Sequence, residues 1–258
     1  MEIALGFIIA IFIAITGVGA GSMTTPLLIL LIGMPTKQAV GTALIFGAAV
    51  KILTTPMYIA RRQVDWRAFK FLMLTGLPGV LIGTLVLQGF KSDLLTAFVG
   101  FTIVSIATLN LFRFSNITRN DRTPWLAAVA LPIGVEVGFS SAGAGALGAL
   151  CLMNMTTMAP AAVVGTDLSF GLVLSTVSGG IHAALGDLNV PVLIKLLIGG
   201  AGGALAGGLL ASRLPSKKLR FVLCVALVIL GCNLGWKGWT DYRKSLVQEP
   251  QAQESVKQ

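Results

Sequence analysis

Runs of apolar residues long enough to cross a lipid bilayer follow one another along almost the whole chain. Taken by hydropathy, they cover Ile3–Thr16, Met23–Met34, Thr36–Ala60, Trp66–Gln88, Leu94–Phe112, Trp125–Asn154, Pro160–Leu185, Val192–Leu214 and Leu219–Trp239. A helix needs about 20 such residues to span the hydrocarbon layer. None of the runs shows the ten-residue alternation of a transmembrane barrel strand. The chain therefore reads as an all-α polytopic membrane protein. Composition agrees: 55% of residues are hydrophobic and 11% charged, where a soluble domain carries about 25% charged residues to cover its surface. A soluble enzyme, a nucleic-acid-binding protein and a disordered chain are all excluded. The net charge of +9 comes mostly from Lys and Arg flanking apolar blocks, where they anchor and orient helices.

Two blocks are interrupted. Gly17-Val18-Gly19-Ala20-Gly21 breaks the first, and Ser140-Ser141-Ala142-Gly143-Ala144-Gly145 breaks the one that starts at Trp125. Each arm beside a break has about 13 residues, near 20 Å of helix, too short to cross a core of about 30 Å. Freed backbone of this kind is tolerated only where it faces protein or a wet cavity.

The breaks belong to a larger pattern. Sliding the sequence by 124 positions lays Gly19-Ala20-Gly21 on Gly143-Ala144-Gly145 and Val40–Gly47 on Val164–Gly171, and Gly76, Gly79 and Gly83 on Gly200, Gly203 and Gly207. One register across most of each half predicts two homologous repeats, at 3–114 and 124–239. A polar linker at 115–123 joins them, and a disordered polar tail at 240–258 follows. The basic cluster Arg61, Arg62, Arg67 and Lys70 has no counterpart in the second copy, whereas Arg213, Lys217, Lys218 and Arg220 face only Lys91 in the first. Under the positive-inside rule the copies are expected to be inverted, each with a broken or re-entrant helix and three full spans. Glu2 stands where a secretory leader would carry Lys or Arg, so the N-terminus is taken as part of the mature chain.

The sequences GVGAGSMTTPLLILL, AVGTALIFG, a basic joint with VDW, GAGALGALCLMNM and VVGTDLSFG together resemble the sulfite exporter TauE/SafE family of bacterial membrane permeases. The resemblance runs from Ile3 to about Trp239. It implies a bacterial inner-membrane protein of two related halves that moves small sulfur-containing anions such as sulfite or organosulfonates. The first motif departs from the family, which more often has adjacent glycines where this chain has GVGAG.

An anion carrier must offset the desolvation of its cargo. Backbone N–H groups at helix N-termini supply that most directly, because unsatisfied donors and the helix dipole both favour negative charge. Gly17, Gly19, Gly21, Gly143 and Gly145 fit this role, with Ser22, Thr24, Thr25, Ser140 and Ser141 as hydroxyl donors. The alternative for any one glycine is close helix packing, which is how the ladders at Gly76–Gly83 and Gly199–Gly208 are read.

Charges within spans are costly and so are functional candidates. Lys51 could hold substrate, snorkel toward Arg61, or pair with a carboxylate. Glu136 and Asp167 could carry a proton, or Asp167 could neutralise Lys51 across the two halves. His182, the one histidine, is expected as an interfacial anchor, with a titrating switch as the alternative. Cys151, Cys224 and Cys232 lack paired spacing, so neither disulfides nor a metal site is expected, and no cofactor is implied. No Walker-type motif is present. The expected function is a secondary transporter working by alternating access, with an anion channel or an intramembrane enzyme as alternatives. The expected partners are the anion and the bilayer, with a homo-oligomer possible.

Overall fold

The computed structural model describes residues 1–16, 20–89, 92–113, 122–210 and 216–255. Among them the chain is helical throughout, with no strand. The helices are α1 (Glu2–Thr16), α2 (Ala20–Leu31), α3 (Thr36–Ala60), α4 (Trp66–Gly89) and α5 (Ser92–Arg113). After a 3-10 turn at Thr123–Trp125 come α6 (Leu126–Ser140), α7 (Gly143–Met155), α8 (Pro160–Ala184), α9 (Val190–Leu210) and α10 (Ser216–Ser255). Gly17, Gly19 and nearly all of the polar linker lie outside the described residues. The tail beyond residue 240, expected to be disordered, continues α10 as helix to Ser255. Its Gln, Glu, Ala and Lys residues are good helix formers.

Among the described residues six helices are long and apolar enough to cross a membrane: Thr36–Ala60, Trp66–Gly89, Thr123–Ser140, Pro160–Ala184, Val190–Leu210 and Phe221–Lys244. The sequence pattern makes Trp125–Asn154 a broken block and Leu94–Phe112 a full span. With the 3-10 turn, the first arm of that block reaches 18 residues, and α5 has 22. Leu74, Leu85, Phe101, Ile198, Leu209 and Phe221 are exposed on the outside of the bundle, as a lipid-facing surface requires. Proline sits inside α2, α3, α4 and α6, which neighbouring helices make tolerable in a bilayer.

Helix starts in the second half fall 124 residues after those of α1, α3, α4 and α5. Packing follows the same exchange. Helix α1 lies along α9 and α6 along α4; α3 packs on α8 and α5 on α10. Along α3 and α8 the neighbours are Gly41 with His182, Ile45 with Gly179, and Tyr58 with Gly165, so these two helices run antiparallel. Helices α5 and α10 are antiparallel as well, with Ala97 beside Gly238, Gly100 beside Gly235, and Val104 beside Gly231.

The glycine ladders explain how the swapped pairs approach so closely. A Cβ on Gly79 would strike the Leu131 carbonyl, and one on Gly203 would strike the Phe7 carbonyl. The aromatic rings of Phe170 and Phe46 fill the space above Gly76 and Gly200. These glycines are packing surfaces.

The repeated Val-Gly-Thr motif also has a structural task. Thr42 Oγ1 accepts the N–H of Asn189 at 3.1 Å, and Thr166 Oγ1 accepts the N–H of Asp65 at 2.9 Å. Each motif thus holds the interhelical turn of the other half. Those turns share one backbone course: Arg62 (φ 55°) and Gly186 (φ 78°) are both left-handed, and Gln63 and Asp187 donate back to the carbonyls of Tyr58 and His182. This is the Schellman pattern that ends a helix.

Candidate functional site

The second break is a tight reversal. Helix α6 stops at Ser140, Ser141 takes a left-handed conformation (φ 65°), and α7 turns back so that a Cβ on Gly143 would sit 2.7 Å from the Ile133 carbonyl. Such an ending leaves α7 without a side-chain N-cap, so its first amides are free for other acceptors. One of them is used from within the chain: Gly145, at φ 92°, donates its N–H to Asp167 Oδ1 at 3.3 Å. A Cβ on Gly148, one turn further, would collide with the same oxygen. A carboxylate therefore rests on the amino end of α7, where the helix dipole favours negative charge.

The start of α2 reaches this reversal from the other half. A Cβ on Gly21 would overlap the Ser141 carbonyl and hydroxyl, and Thr25 Oγ1 and Ser141 Oγ share a hydrogen bond at 2.7 Å. Ser22 and Thr24 are buried, at 2% and 0% exposure, and their hydroxyls meet no hydrogen-bond partner. The Thr55 hydroxyl is in the same position. Buried hydroxyls nearly always find partners, and these three are exceptions among the described residues. At the Gly145 position of the first half stands Gly21, and at the Asp167 position stands Ala43. The first half thus has no carboxylate of its own to seat on α2.

Lys51 is 1% exposed. It does not snorkel toward Arg61: its Nζ donates to the Gly171 carbonyl at 3.2 Å and to Ser175 Oγ at 2.9 Å. Asp167, one turn from Gly171 on α8, is near enough to act on the ammonium electrostatically. The expected pairing of Lys51 and Asp167 is therefore a through-space relation within one buried polar group.

Glu136 is half-buried and turned elsewhere. Ser140 Oγ donates to its Oε1 at 2.5 Å, and Thr102 of α5 is its other side-chain partner. Ser140 in turn accepts the Ala142 N–H at 3.2 Å, which ties the carboxyl of Glu136 to the shape of the reversal.

Of the sequence-nominated residues, Gly21, Thr25 and Ser141 are brought into contact, as are Glu136 with Ser140 and Asp167 with Gly145; Gly17 and Gly19 lie outside the described residues. Sequence reasoning missed Ser175, which the 124-residue register places opposite Lys51. It also misplaced His182. Expected as an interfacial anchor, its side chain is wholly buried and lies 3.3 Å from Asp187, because the close approach at Gly41 draws the α8–α9 turn over it. Among the described residues no group of His, Cys, Asp and Glu is arranged to hold a metal ion.

A lipid-facing helical bundle around a buried polar interior defines the class: a polytopic membrane transporter. Residues 2–234 match the family described as "Sulfite exporter TauE/SafE", and the chain belongs to that family. It is similar to the "Probable membrane transporter protein YjnA" of Bacillus subtilis, with 24% identity over 90% of this chain and 98% of that protein. It is also similar to YunE of the same organism (22%; 92% and 97%), and to a "Probable membrane transporter protein" of Xylella fastidiosa strain Temecula1 (23%; 93% and 96%). No solved structure matches. The chain is a multi-pass bacterial membrane protein.

Proposed function

We propose that the protein is a secondary transporter of small sulfur-containing anions such as sulfite or organosulfonates, and that two inverted halves give alternating access to a site between their broken helices. One observation carries this reading: Asp167 occupies the amino end of α7 through the Gly145 amide. The chain itself thus places an anion on one of the two helix breaks. The equivalent break in the first half has Ala43 in place of the carboxylate, with the unpartnered hydroxyls of Ser22 and Thr24 beside it. An oxyanion fits there by the same chemistry, through amide and hydroxyl donors, and Lys51 offsets its charge from α3.

The inverted relation is supported by the antiparallel packing of α3 on α8 and of α5 on α10. Helices that match in sequence register and run oppositely are related by an axis in the membrane plane, the arrangement of many carriers. Glu136, held by Ser140 at the reversal, is our candidate for the proton that couples to transport.

The test is flux of labelled sulfite and of a short alkanesulfonate in proteoliposomes of the purified protein. Saturable, competitive flux that responds to an imposed pH gradient is expected. Flux that rises linearly with concentration would make the protein a channel, and chemical conversion of the substrate would make it an enzyme.

A further inference from the structure

The turns that join α3 to α4 and α8 to α9 are clamped alike but not in the same chemistry. Where α3 ends, the clamp consists of the Thr166 bond, Gln63 against Gly165, and Tyr58, whose hydroxyl donates to the Ala14 carbonyl at 3.0 Å. Where α3 begins, His182 stands at the position of Tyr58 and Asp187 at that of Gln63. His182 Nδ1 is 3.3 Å from Asp187 Oδ2. Gln88 Nε2, from the end of α4, donates to that oxygen at 2.5 Å and lies 3.4 Å from Nδ1.

We propose that His182 and Asp187 form a proton-operated latch that holds the α8–α9 turn against α3 and closes the face of the protein where α3 begins. Its part in transport rests on the alternating-access reading above. With a proton on each ring nitrogen, His182 makes a charge-assisted bond to Asp187, stronger than its neutral form can make. Nε2 is buried with no hydrogen-bond partner, so the ring meets the turn and α4 through Nδ1 alone. A cavity of about 420 Å³ opens beside the latch, lined by Asp187, Lys37, Thr36, Thr96, Lys237 and Asp241, and gives water and protons a route to Asp187. The groups facing the imidazole are the Asp187 carboxylate from the turn, the Gln88 amide from α4, and from α3 the Lys37 ammonium one turn before Gly41, which acts on the ring electrostatically. Lys37 itself is tied to the Gln88 carbonyl at 2.9 Å, so all three helix ends meet in one network. The opposite clamp has a phenol and an amide in place of the titrating pair. Acidification therefore tightens one face of the protein and leaves the other unchanged.

Because the chain has a single histidine, 15N NMR of histidine-labelled protein in lipid nanodiscs reads His182 alone. The imidazole is expected to titrate, and its midpoint should fall in Asp187→Asn, which removes the carboxylate that favours the charged ring. Spin labels at Gln38→Cys and Leu185→Cys, with Cys151, Cys224 and Cys232 replaced, measure the closure directly and without substrate. Their separation should lengthen as pH rises through the NMR midpoint, and should lose that dependence in His182→Gln and in His182→Tyr, which copies the other clamp. An imidazole that does not titrate, or a separation that ignores pH in the otherwise native protein, overturns the latch. Absent flux in proteoliposomes would instead count against the transport reading, since neither measurement here requires transport.

Discussion

Lys51 donates a hydrogen bond to Ser175, the residue 124 positions further on that holds the same place in the other half. The two copies of one position thus meet each other, and only one of them is charged. The ammonium is buried at this meeting of the two halves, at 1% exposure.

Lys51→Met should lower apparent substrate affinity by at least tenfold, about 1.4 kcal/mol, while the protein still inserts and purifies. If the lysine serves chiefly to balance Asp167, the double variant with Asp167→Asn recovers the loss. Saturation curves for the three proteins decide between these roles.

Gly21→Ala places a methyl group on the Ser141 carbonyl. The tips of the two broken elements are then forced apart, and flux should fall below detection with membrane insertion intact. Gly180→Ala is the control, because a Cβ there meets nothing within 4 Å; its flux should stay native. Loss of flux in both would point to general damage rather than to the helix breaks.

Glu136→Gln keeps the bond to Ser140 but cannot release a proton. Flux measured from pH 5 to 8 should lose most of its slope, with little change in half-saturation at the most acidic pH. A slope equal to that of the native protein removes Glu136 from proton coupling.

Thr42→Val and Thr166→Val each remove one hydroxyl acceptor from a turn amide. Each should cost about 1–2 kcal/mol, the penalty for a buried donor left unpaired, read as a lower unfolding midpoint in detergent. Equal losses are expected at acid pH. Near pH 8 the Thr42 variant should be the more affected, since the neighbouring latch no longer supports its turn.

Much of this arrangement could be read from the sequence, for physical reasons. Bilayer-length apolar runs fix helices because no other local structure satisfies the backbone in lipid, and each expected block contains helix among the described residues. The glycine ladders were readable as packing faces because their spacing puts small residues on one side of a helix. Long-range contacts were harder. That Asp167 seats on Gly145 depends on how α7 turns back, which the left-handed Ser141 decides and no periodicity announces. His182 looked like an edge residue because it lies in the last turn of α8; its burial comes from a turn folded over it and held by Thr42 in the other half.

The swapped packing of α1 on α9 and α4 on α6 makes each half depend on the other. Neither half keeps its own short first helix covered, so a lone copy would leave that helix without its neighbour. The cover for each short first helix has to come from the other half. Cutting the present gene between codons 113 and 122 and supplying the pieces separately should recreate that partnership.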